Sequence, residues 1–187
     1  MAKSRKKMIL WTSALVAVIA IAASVLAKDG FAPVSVASSV SGVPITTDGN
    51  HVLTFTHHDP DFSLQYPDTL QATSSKGDDG SETIIFSGPE QPDAAGHMGF
   101  QIFVSQYSGS APIDGQFVHD AFPSLAVNDP VQIVFGDGVP GLVFMSMDET
   151  IGKTRELWFA RGGYLYQVTT YADLDGWLAG IFKTWRQ

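Results

Sequence analysis

Residues 154–187 read TRELWFARGGYLYQVTTYADLDGWLAGIFKTWRQ, and this stretch decides the fold. Gly162-Gly163 is a two-residue loop that tolerates the positive φ angles of a type I′ turn, so the flanking runs form a tight β-hairpin. That turn sets a register in which Arg161 faces Tyr164, Phe159 faces Tyr166 and Leu157 faces Val168. Because side chains alternate along a strand, one face carries Leu157, Phe159, Tyr166 and Val168. The other carries Glu156, Trp158, Ala160, Leu165, Gln167 and Thr169, a mixed set. Directly after the hairpin, Leu174, Trp177, Leu178, Ile181, Phe182 and Trp185 recur at three- and four-residue spacing, the pattern of an amphipathic helix. Asp173 is the expected cap, Asp175 complements the helix dipole in the first turn, and Lys183 and Arg186 complement it at the other end. Full burial of six such side chains, at roughly 1.5–3 kcal/mol each, is worth ~10–15 kcal/mol before the opposing entropy is counted. The all-apolar face of the hairpin is the expected platform for this helix.

Working outward, the chain has 187 residues and 44% hydrophobic content, enough for one core and one domain. It has no cysteine, which excludes disulfides, thiolate metal sites and cysteine nucleophiles. Charge is unevenly distributed. Lys3, Arg5, Lys6, Lys7 and Lys28 bracket an apolar run, and beyond residue 28 only six Lys and Arg face all nineteen acids, a formal −13. A surface of that sign repels phosphate backbones, so no nucleic-acid partner is expected.

The apolar run is Met8 to Ala27, MILWTSALVAVIAIAASVLA, long enough to cross a bilayer as a helix. With residues 1–7 as a basic cytoplasmic N-terminus, residues 8–27 read as a transmembrane signal-anchor in a single-pass protein of the cell membrane, with the rest of the chain extracytoplasmic. The competing reading is a cleaved leader, for which Val25-Leu26-Ala27 would be the processing site, although the run exceeds the usual apolar core. Residues 28–50, rich in Ala, Ser, Val, Pro and Gly, read as a linker. The folded domain is placed at residues 51–187.

Within it, Phe62-Ser63-Leu64-Gln65-Tyr66 alternates apolar and polar positions and ends in a turn at Pro67-Asp68. Further strands are expected at His51–Thr56, at Leu70–Thr73, at Glu82–Phe86 and, centrally, at Met98–Tyr107. Asp114 to Leu125 shows helical spacing, with Asp114 as cap and Pro123 limiting its length. Val131–Phe135 and Gly141–Met147 form a hairpin around Gly136-Asp137-Gly138. The class is therefore α+β: an antiparallel sheet of about six strands ending in a four-strand meander, covered by the C-terminal helix and a short mid-chain helix.

Three stretches resemble the PsbP-type fold, named for extrinsic lumenal proteins of photosystem II. They are Phe62-Ser63-Leu64-Gln65-Tyr66-Pro67, then Leu157-Trp158-Phe159 through Gly163-Tyr164-Leu165-Tyr166, and finally Ile181-Phe182-Lys183-Thr184-Trp185. The similarity spans about residues 51–187. It implies an antiparallel sheet covered by helices, and accessory or binding roles without catalysis.

The chemistry-bearing residues point the same way. His57-His58-Asp59-Pro60-Asp61 is the densest ligand set, but adjacent histidines on a strand face opposite sides, so a metal site needs loops that bring His57 together with Asp59, or His58 together with His51 or His97. Asp173-Leu174-Asp175-Gly176 lacks the later acids of a calcium loop, and Asp78-Asp79-Gly80 is turn chemistry. His119-Asp120 on a helix splay apart, and neither a Gly-x-Ser-x-Gly elbow nor a phosphate-cradling glycine loop occurs. No catalytic residue, cofactor or metal ligand is therefore assigned. Trp158, on the mixed hairpin face, is the one candidate for a partner surface. The expected function is a membrane-tethered, non-catalytic binding or assembly module with a protein partner. The alternatives are a small-ligand or metal-binding domain and, third, a hydrolytic enzyme.

Overall fold

The computed structural model describes residues 45–47, 50–88 and 98–187. The basic N-terminus, the stretch at 8–27 expected to be an anchor, most of the expected linker and His97 lie outside the described residues. Ten strands form two antiparallel sheets. The smaller contains β1 (Ile45–Thr47), β2 (Asn50–His58) and β3 (Asp61–Pro67) in that order. The larger has seven strands in the order β4-β5-β6-β10-β9-β8-β7. These are β4 (Gln71–Lys76), β5 (Glu82–Ser87), β6 (Gly99–Gln106), β7 (Asn128–Phe135), β8 (Val139–Asp148), β9 (Gly152–Arg161) and β10 (Tyr164–Tyr171). The architecture is α+β, as expected, and β7 to β10 are the four-strand meander. The count of about six strands is corrected to ten among the described residues. Alternation of apolar residues identifies a strand but not the sheet it joins, and β1 falls inside the stretch read as linker.

The terminal hairpin has the register that its loop demands: Arg161 opposite Tyr164, Phe159 opposite Tyr166, Leu157 opposite Val168. Gly162 and Gly163 take φ of 60° and 84°, angles that side chains with a Cβ resist. The following helix is shorter than the sequence suggests. A 3₁₀ turn at Ala172–Leu174 precedes α2 (Asp175–Phe182), whose N-cap is Leu174 without a side-chain cap bond. Asp173 is thus not the cap, because the 3₁₀ entry turn takes it up and leaves it one residue ahead of the cap position. Leu178, Ile181 and Phe182 are buried, whereas Trp177 is half-buried and meets Phe100 edge-on at 5.9 Å.

Trp185, just past the helix, is the centre of the main core. Its ring stacks on Phe62 at 4.3 Å and meets Phe159 and Tyr166 edge-on at 5.1 and 5.2 Å. Arg186 then pairs with Ser63 through two 2.9 Å backbone hydrogen bonds, which ties the C-terminus to the small sheet. The small sheet and α2 therefore cover one face of the large sheet.

The other face is covered at one end by α1 (Gly115–Ala121), which Asp114 caps by accepting from the Phe117 amide at 2.8 Å. Val118 of α1 and Ile113 close a second core over Leu142, Phe144, Trp158 and Leu165. The mixed hairpin face thus belongs to this second layer.

Candidate functional site

Beyond the end of α1 the second face turns polar. Cross-strand pairing sets Glu156 beside Thr169, Thr169 beside Gln101, and Ser146 beside Thr154. All five side chains are buried, and with Trp158 they line a cavity of about 40 Å³ that reaches toward Leu125, Met147 and Asp148. The Thr169 hydroxyl donates to Glu156 Oε2 at 2.7 Å, and Trp158 Nε1 makes a longer 3.5 Å contact with the same oxygen. Burial pushes the Glu156 carboxyl above the usual range, against the opposing pull of Thr169, Thr154 and Trp158, and the negative charge of Asp148 raises it further. The Ser146 hydroxyl is buried without any hydrogen-bond partner, and the Thr154 hydroxyl, close enough to draw on the Glu156 carboxyl, meets no partner in hydrogen-bonding geometry. Buried polar groups are nearly always paired, so hydroxyls left in this state beside a carboxyl mark a place built to hold something polar.

A second opening lies on the opposite face, where α2 stops short of the sheet edge. Here β7, β8, β9 and α2 enclose an apolar groove of about 240 Å³. Its walls are Ile133, Phe135, Val143, Leu157, Leu178 and Phe182. Arg155 and Lys183 stand at its rim, two of the six basic residues beyond residue 28. Arg155 Nε donates to Asp175 at 2.8 Å, which fixes the guanidinium beside the groove. Val131 and Val134 on the adjoining edge strand β7 are 52% and 71% exposed, so an apolar margin continues onto the surface.

Trp158 requires a correction. The sequence placed it on a partner surface, but it is 1% exposed, with its ring edge-on to Phe122 at 5.0 Å and to Phe144 at 5.7 Å. The mid-chain helix and the segment after it fold over that face, a second layer that a strand's own alternation does not reveal. Trp158 is instead an inner wall of the polar cavity.

The histidines do not converge. His57 Nδ1 donates to the Pro60 carbonyl at 2.8 Å and its Nε2 lies 3.0 Å from Glu82 Oε2, joining the small sheet to the large one. His58 points away and is exposed, and His51 lies 3.9 Å from Asp68. Among the described residues no three His, Asp or Glu side chains gather as a metal-binding group. On α1, Asp120 accepts from Gln116 and not from His119. Asp79 accepts twice from Ser81, which closes its turn and holds its carboxyl below the usual range.

The sequence missed both openings. The signal for the polar cavity was present in the mixed hairpin face, where Glu156, Gln167 and Thr169 alternate with nothing that explains them. The groove had no signal, because it depends on where α2 ends. Comparisons with protein-family models, with curated proteins and with solved structures find no match to this chain.

Proposed function

We propose that residues 51–187 form a non-catalytic binding module held outside the cell membrane by the anchor at 8–27. The observation that carries this reading is the apolar groove between α2 and β7, with Arg155 and Lys183 at its mouth. A concave apolar pocket with a few placed polar groups is the ordinary form of a binding site. Its charge and shape suit an apolar group that bears a carboxylate or another single negative charge. A cavity of 150 Å³ holds benzene, so about 240 Å³ has room for an apolar group of roughly ten carbons. This favours ligand capture, the second of the readings drawn from sequence, while leaving the module non-catalytic and without nucleic-acid or cofactor partners.

The likeness to the PsbP-type plan is part of the same proposal. It rests on the three stretches of sequence alone, whose Phe62, Phe159, Tyr166 and Trp185 pack on one another in the core.

Ala179 lines the groove and is exposed, so Ala179→Trp fills the mouth without entering the core. Octanoate titrated into residues 45–187 should shift the Ile133 and Val143 methyl resonances saturably, and should fail to do so in Ala179→Trp. Equal shifts in both proteins would refute the groove as the site. For the anchor, the full chain should resist alkaline extraction from membranes, and protease added from outside should remove residues 51–187. Release by alkali would refute the tether.

A further inference from the structure

We propose that the polar cavity at Glu156 is a binding site for a primary ammonium group carried on a short carbon chain. It lies on the sheet face opposite the groove and stands independently of that reading. An R–NH₃⁺ group has one positive charge and three N–H donors. The cavity offers one carboxylate, Glu156, and the hydroxyl oxygens of Ser146 and Thr154 as acceptors. Asp148 adds negative charge toward the surface, and no residue lining the cavity is basic.

The size discriminates as well. A cavity needs ~10–15 Å³ to hold a water molecule. About 40 Å³ therefore accepts a small polar head and not a bulky quaternary ammonium. Phe103, Leu125 and Met147 give part of the wall an apolar surface suited to the carbon chain behind the head, and Gln101 and Gln167 add amide carbonyls that can also accept from it. An anionic ligand would meet two carboxylates and no cation. A neutral alcohol brings no charge to pair with Glu156, which then keeps its proton, and gains only the weaker neutral hydrogen bonds. The formal −13 beyond residue 28 also draws cations toward this surface.

An ammonium ion stabilises the ionised carboxylate against the burial that now opposes it, so binding displaces a proton from Glu156 and strengthens as pH rises toward the amine's own pKa.

The test uses the full chain in non-ionic micelles at neutral pH, with n-butylammonium chloride as probe. NMR follows the backbone amides of Ser146, Thr154, Glu156 and Thr169. Saturable shifts are expected. Tetramethylammonium, which has the charge without donors, and n-butanol, which has the shape without charge, should bind roughly tenfold or more weakly, since a hydrogen bond to a charged group is worth ~1.5–3 kcal/mol. Glu156→Gln keeps the size and the acceptor for Thr169, and should abolish the response while remaining folded. Ser146→Ala combined with Thr154→Val should weaken it about fivefold through the lost acceptors. The proposal is overturned by any of three results: no saturable response, which would make the cavity a water site only; undiminished binding in Glu156→Gln; or tetramethylammonium or butanol matching butylammonium.

Discussion

Replacing Trp185 with Ala should cost more than any other single truncation in the C-terminal segment. The ring is fully buried and packs on Phe62, Phe159, Tyr166 and Phe182, with centroid separations from 4.3 to 5.8 Å. Truncating a core Trp or Phe to Ala typically costs ~3–5 kcal/mol through lost transfer energy and the cavity left behind. Aromatic pairs add ~0.5–1.5 kcal/mol each beyond area. One term works the other way: Trp185 Nε1 is buried without a partner, and removing it relieves part of that ~1–3 kcal/mol penalty. The balance is about 4 kcal/mol, a large share of the ~5–15 kcal/mol that holds a domain folded. Trp177, half-buried with an edge contact to Phe100, should cost only about 1–2 kcal/mol on truncation. Lys183→Ala, on the exposed side of α2, should stay within ~0.5 kcal/mol. Urea unfolding of residues 45–187, followed by far-ultraviolet circular dichroism, separates these outcomes. With a slope of ~1–3 kcal/mol per molar urea, Trp185→Ala should lower the midpoint by about 2 M. Trp185→Phe keeps a ring in the stack and deletes the orphan donor, so it should lose less than about 1.5 kcal/mol. If Trp177→Ala moves the midpoint as far as Trp185→Ala, the aromatic stack is not what fastens the C-terminus to the small sheet.

Two further outcomes follow from buried polar groups. Burial raises the Glu156 pKa in the folded state, so the folded protein binds the proton more tightly than the unfolded chain. The stability this gives is complete below the ordinary glutamate range and is lost as pH rises through the raised value. Glu156→Gln should therefore show a flatter stability profile from acid to neutral pH, and identical slopes in the two proteins would count against a buried acid. His57→Ala should cost roughly 3 kcal/mol or more, because it strands the nearly buried Glu82 carboxylate between the two sheets. Lys76→Ala should cost almost nothing, its ammonium being 71% exposed at 3.8 Å from the same carboxylate; urea midpoints that fall equally for both would remove the clamp.

What was legible in the sequence was local. The Gly162-Gly163 loop set the pairing of eight residues on each side, since a two-residue turn leaves no freedom of register. Asp114 capped its helix because both its acceptor and the amide it serves lie within one turn. Asp173 failed in the same role because the chain enters α2 through a 3₁₀ turn. Asp175 in turn found a partner twenty residues away in Arg155, a contact that no short-range rule contains. Likewise, Gly136 reads as a simple turn glycine. A Cβ there would lie 2.8 Å from the Trp185 carbonyl oxygen, so the turn is shaped by the far end of the chain.

The mixed face of the terminal hairpin shows where such reasoning stops. Alternation correctly separated Leu157 and Phe159 from Glu156 and Trp158, and it marked the second set as neither core nor solvent. A large ring on a polar strand face has two resolutions: it meets a partner, or the chain supplies its own cover. Here Phe122 and the rest of the α1 segment supply the cover, and they do so only as far as Trp158. Two residues nearer the start of β9, the cover gives way to a cavity, and Glu156, Ser146 and Thr154 are left buried but incompletely answered. The helix is too short to continue, because Pro123 follows one residue after its cap Phe122 and its ring removes the backbone donor that another turn requires. A proline in the middle of the chain thus determines which part of a distant hairpin face is sealed as core and which part stays open as a site.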